Sequence, residues 1–147
     1  MSRLFAIGII ASLAACASNE PTPSAAAESS EVTHDLVGTR WALMRLGGKP
    51  VTISEGGREA YLALNSVENR VVGHAGCNRI ASTYRLDGAQ LRFGEVIATR
   101  MFCDDMPTET ALLEAMKLTA GWRISGSQLQ LLDANRQPLA SFEARDL

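Results

Sequence analysis

From residue 36 to 143 short apolar runs recur with a period near two, the spacing of strands that bury one face. Residues 36–46 place Trp41, Leu43 and then Arg45 on one side and Ala42, Met44 and Leu46 on the other, until Gly47-Gly48 breaks the run. After a polar, glycine-containing stretch to Arg58, residues 60–64 read as a second strand. The chain turns at 65–69 and returns as 70–76. Residues 82–86 and 90–93 flank Asp87-Gly88, a strong hairpin signal, and 96–103 is a further strand candidate. One segment has helical spacing. It opens at Asp104-Asp105-Met106-Pro107, with Asp104, Asp105 and Glu109 complementing the positive helix end and Gly121 placed to stop it. Leu112, Met116 and Thr119 share its apolar face, beside Leu113 and Ala115. Residues 122–125, 128–132 and 138–143 close the pattern as a meander. The expected fold is mainly β: an antiparallel, barrel-like sheet of about eight short strands with one inserted helix, closed on itself to hide its edges.

The first 34 residues have a different character. Met1-Ser2-Arg3 precedes an apolar run over 4–15, which at about 12 residues is shorter than the roughly 20 a membrane-spanning helix needs and has the proportions of a secretory leader. Leu13-Ala14-Ala15-Cys16 resembles the lipobox of bacterial lipoproteins, which makes 1–15 a signal peptide and Cys16 the acylated mature N-terminus. In that pattern Ala17, standing where an aspartate retains proteins in the inner membrane, points to the outer membrane, facing the periplasm. Residues 16–34 hold little apolar material able to offset the entropy of ordering, so they read as a flexible tether. Its reach is about 60 Å fully extended and roughly 20–25 Å as a coil. The folded body is expected over 35–147.

Composition narrows the function. With 46% apolar and 20% charged residues the chain has the composition of an ordinary globular protein. The formal charge of -2 becomes -3 without Arg3, and no basic stripe calls for nucleic acid. His74 and Cys77 suggest a base and nucleophile, but residues three apart on a strand face opposite ways and no third orienting group is evident. Cys77, Cys103 and His74 lack the close spacing of a structural zinc site. No catalytic residue, metal site or cofactor is assigned. Export favours a disulfide between Cys77 and Cys103, the two cysteines left once Cys16 is acylated; two buried thiols packed as small apolar groups are the alternative. Asn78 suits a turn, Arg79 and Arg100 suit an anion, and Met101, Phe102, Met106 and Met116 suit an adaptable apolar groove.

Thr39-Arg40-Trp41, Gly76-Cys77-Asn78-Arg79, Tyr84, Asp87-Gly88, Leu91, Thr99-Arg100-Met101 with Cys103, and Leu129-Gln130-Leu131 together resemble the META domain of HslJ-like envelope proteins over about residues 36 to 145. Ser82 stands where a glycine is common and Phe102 where a small residue is common. The resemblance implies a non-catalytic envelope domain connected with stress tolerance and, through related domains, with virulence and secretion. It implies no catalytic residues. The expected partner is a periplasmic protein or peptide, with Asn78, Arg79, Arg100 and Met101 as candidate binding residues. The alternative is a carrier holding an acyl chain or another hydrophobic molecule inside the barrel.

Acylation of Cys16 is testable. Two or more acyl chains anchor stably because each buried methylene adds about 0.8 kcal/mol. The protein should therefore fractionate with membranes, and Cys16→Ser should release it or leave the precursor unprocessed. A serine variant that stays processed and membrane-bound would refute the assignment.

Overall fold

The structure of the protein, a computed structural model, describes residues 34–145. The leader, Cys16 and all of the tether but His34 lie outside the described residues. The elements in order are β1 (Arg40–Leu46), β2 (Lys49–Pro50), β3 (Tyr61–Asn65), a 3-10 turn (Val67–Asn69), β4 (Arg70–His74) and β5 (Arg79–Asp87). They continue with β6 (Gln90–Phe93), β7 (Ile97–Ala98), α1 (Met106–Leu118), β8 (Gly121–Ser125), β9 (Gln128–Leu132) and β10 (Pro138–Arg145).

All strand pairs are antiparallel, and the sheet runs β10-β9-β8-β6-β5-β4-β3-β1 before β1 pairs back onto β10. The result is a ring of eight strands, as the alternation predicts. It is not a fully bonded barrel, because β6 and β8 meet through one residue pair, Gln90 with Gly121. Hydrogen bonds from Leu91 N to Ala120 O (3.3 Å) and Trp122 N to Ala89 O (3.2 Å) reinforce this seam. Gly121 is thus the first residue of β8 and not the helix stop expected of it. A side chain there would press on the Ala89 carbonyl at 3.1 Å. The helix ends instead at Thr119, whose hydroxyl donates to Ala115 O at 2.7 Å.

The alternation is cleanest in β5, where Ile80, Ser82 and Tyr84 are buried and Arg79, Ala81 and Thr83 exposed. Ser82 is accommodated inside because its hydroxyl donates to Gly94 O at 3.1 Å. In β1 a bulge between Leu43 and Arg45 leaves Met44 and Arg45 both exposed and turns Leu46 onto the core, so Leu46 does not stay on the side of Ala42 and Met44, nor Arg45 on that of Trp41 and Leu43. Trp41, Leu62, Leu64, Leu91, Leu129, Leu131 and Phe142 fill the ring and are fully buried. Leu112, Ala115 and Met116 descend onto them from α1, which touches β1 and β10 on one side of the ring and β6 on the other. The helix therefore caps the interior. Leu112 and Met116 each contribute about 1.5–3 kcal/mol on burial.

The strand expected over 96–103 is cut to Ile97–Ala98, which pairs with Ala81 and Ile80. Beyond Thr99 the ladder stops because the Asn78 side chain takes over the backbone groups of Met101.

Gly73 lies opposite Leu62 in the β3–β4 ladder, and a Cβ there would run into the Tyr61 carbonyl and crowd Leu62 Cδ2 at 3.3 Å. Gly73→Ala should therefore cost about 1–3 kcal/mol, read as a lower denaturant midpoint. An unchanged midpoint would mean that β3 and β4 are not in this register.

Candidate functional site

The turn from β4 to β5 carries Ala75-Gly76-Cys77-Asn78 and is closed by a hydrogen bond from Ala75 N to Asn78 O (2.8 Å). Gly76 has φ 94°, in the region that favours glycine, and a Cβ there would sit 3.3 Å from Asp105 Cβ. This close approach seats the turn against the start of α1. Asp105, the N-cap residue, accepts from the Ser54 hydroxyl and does not cap the helix with its side chain. Glu109, expected to complement the positive helix end, is buried and accepts from Asn78 in the turn.

Asn78 is 1% exposed and saturates its amide. Its Nδ2 donates to Glu109 Oε1 (3.1 Å) and Met101 O (3.1 Å), and its Oδ1 accepts from Met101 N (2.8 Å) and the Thr99 hydroxyl (2.8 Å). Its backbone N donates to Glu109 Oε2 at 2.9 Å. The φ of Asn78 is not positive, so its value lies in the side chain and not in turn geometry. Beside it Cys77 and Cys103 form a disulfide with Cα atoms 5.8 Å apart. Cys77 therefore carries no thiol to act as a nucleophile. Among the described residues no three His, Cys, Asp or Glu side chains gather where they could hold a metal ion.

Outside this knot lie two adjoining clefts. The larger, about 660 Å³, spans the outer face of β3, β4, β5 and β7: Val72, Ala81 and Ile97 are among its lining, with Tyr61, Arg40, Arg58, Glu59, His74 and Arg79 around them. The smaller, about 310 Å³, shares Arg58, His74, Arg79 and Thr99 with it and adds Cys77 and Met101. Arg40 stacks over Tyr61 at 4.1 Å and donates to Glu59 Oε2 at 3.3 Å, and Glu59 also faces Arg145 Nε at 3.7 Å. His74 is buried and its Nδ1 has no hydrogen-bond partner. Burial holds its pKa below the ordinary histidine range; Arg58 and Arg79 push the same way, and Glu109 opposes them.

Of the residues singled out in the sequence, Arg79 and Met101 border the clefts, Asn78 is sealed beneath them, and Arg100 is exposed but lines neither. Met116 belongs to the core whereas Phe102 is 98% exposed, so the methionines and Phe102 do not form one groove. An outward Phe102 is also why a large residue fits there. Arg58 escaped the sequence reading because it sits in a polar, non-periodic stretch. Glu109 escaped because a first-turn acid reads as a surface group.

Removing the Asn78 amide takes both side-chain partners from the Met101 peptide groups and one of the two bonds Glu109 receives, so Asn78→Ala should lower stability by on the order of 3 kcal/mol. Reducing the disulfide should cost a similar amount, about 3–4 kcal/mol on the loop-entropy model. Both hold the 99–103 loop, so the two losses together should be less than additive in chemical denaturation. Strict additivity would contradict a shared role. His74 gives a pH test. Its folded pKa is depressed, so below about 6.5 the unfolded chain takes up a proton that the folded one refuses. Stability should fall as pH drops through that range, and His74→Gln should flatten the slope. Identical slopes in the two proteins would contradict this.

Comparison with known proteins agrees with the geometry. The fold is similar to an NMR structure of a protein from Burkholderia xenovorans, at 26% identity and TM-score 0.60, covering 76% of this chain and 85% of that one. A second NMR structure shares 23% identity at TM-score 0.57, covering 71% of this chain and 87% of the other. The crystal structure of a duf4847 family protein from Bacteroides vulgatus ATCC 8482 has TM-score 0.57 at 11% identity, covering 76% and 96%, a likeness of fold alone. No curated protein matches the chain. The META domain model matches residues 34–146, the whole of the ring, the helix and the knot at Asn78, and the chain belongs to the META domain family.

Proposed function

We propose that this META domain is a non-catalytic binding module of the bacterial envelope. In this reading it is anchored by lipid on Cys16, faces the periplasm from the outer membrane, and recognises a protein or peptide partner in stress tolerance. The observation that carries the reading is the cleft pair on the outer face of β3, β4, β5 and β7, where apolar side chains and cations lie together. Ile97 is 72% and Met101 62% exposed there, more apolar surface than folding alone requires. The ring interior is occupied by Trp41, Phe142 and the leucines around them, which favours a partner held outside over a hydrophobic molecule carried inside.

A photo-crosslinking residue at Ile97 tests this in intact cells. It should give one discrete adduct that is lost when Ala81→Trp fills the larger cleft, while the same group at Gln128, on β9, should give none. Equal adducts at both positions, or none at Ile97, would contradict the reading. A lipid that co-purifies and persists in native mass spectrometry would instead support the carrier.

A further inference from the structure

The charges of the clefts are not balanced. Glu59, the acid in their lining, is already shared between Arg40 and Arg145. Arg58 and Arg79 have no carboxylate partner among the described residues, in a protein whose net charge is -2. Between the clefts they adjoin His74, a buried imidazole with an unpartnered Nδ1. Apolar surface flanks this group on both sides, with Val72 and Ile97 in the larger cleft and Met101 in the smaller. Two unpaired guanidinium groups over a concave surface favour a carboxylate, which each can grip through two parallel hydrogen bonds.

We infer that the shared wall of the two clefts, Arg58, His74 and Arg79, is a carboxylate-binding site for an acidic side chain of a peptide segment, whose apolar neighbours rest on Val72 and Ile97 on one side and Met101 on the other. This rests on the clefts being the partner surface and adds the chemistry of what they select. A segment reading apolar–acidic–apolar complements the surface in both polarity and charge. Arg79 and Arg58 supply the selectivity for charge, and the flanking aliphatic groups supply area. Because the guanidinium groups are exposed, binding should weaken with added salt.

The probe is a labelled, end-blocked heptapeptide with one central glutamate between valine and leucine residues, set against the same peptide with glutamine. Binding to the full chain in detergent is followed by fluorescence anisotropy. The glutamate peptide should bind roughly tenfold tighter, as expected for a charge-assisted contact. Arg58→Gln with Arg79→Gln should erase that preference, and Arg92→Gln, on β6 away from the clefts, should keep it. Equal binding of the two peptides, no binding of either at millimolar concentration, or a preference that survives the double variant would overturn the inference. Binding of inorganic phosphate to the arginine pair without discrimination between the peptides would also overturn it, marking a free-anion site. If peptide selectivity fails while the Ile97 adduct still forms and Ala81→Trp still abolishes it, the partner surface stands and only its chemistry is wrong. If Ala81→Trp leaves a selective glutamate peptide bound, the clefts are not the surface.

Discussion

One side-chain amide holds the parts of this domain together. Where the chain leaves the sheet after Thr99, the Met101 peptide groups have no ladder partner, and backbone groups shielded from water without a partner are costly. Asn78 meets Met101 through both its donor and its acceptor, as another peptide group would, and at the same time reaches Glu109 on the helix. Three segments distant in sequence thus converge on one residue: the β4–β5 turn, the 99–103 loop and the first turn of α1. The Cys77–Cys103 disulfide closes the same junction covalently. Such a network is effective because every member is satisfied, and for the same reason it tolerates little change.

The outer surface inherits its order from this knot. Successive residues of an extended chain face opposite ways, so Asn78 points inward and Arg79 outward. Thr99 links the two: its hydroxyl accepts from Arg79 N at 3.1 Å and donates to Asn78 Oδ1 at 2.8 Å. Arg79, Thr99 and Met101 are therefore placed before any partner arrives. A surface ordered in advance spends less of its contact energy on fixing itself, which suits the binding role proposed above.

Much of the fold was legible because strands with one buried face announce themselves by period. Trp41, Leu62, Leu64, Tyr84, Leu129 and Phe142 all sit where alternation puts them. The misreadings share a cause. Val96 to Cys103 has strand composition, but a side chain from elsewhere outcompetes the ladder, and no local pattern encodes that. Gly121 has the place of a helix stop and serves a strand crossing instead. The cysteine pair was readable from cysteine number and the expectation of export, whereas the depth of Asn78 and Glu109 was not, because a polar residue is buried only when distant partners are. For the clefts, Arg79 and Met101 could be picked out from their motif, but Arg58 joins them solely through the fold.

Amide hydrogen exchange at Met101 tests the central role of Asn78 most directly. The Met101 N–H lies in a loop with no strand partner, so the Asn78 side chain is its acceptor. Protection at Met101 should be comparable with that of Ile80 in the sheet, and should collapse in Asn78→Ala while Ile80 stays protected. Exchange of Met101 at the rate of an unstructured peptide in the native protein would contradict the account.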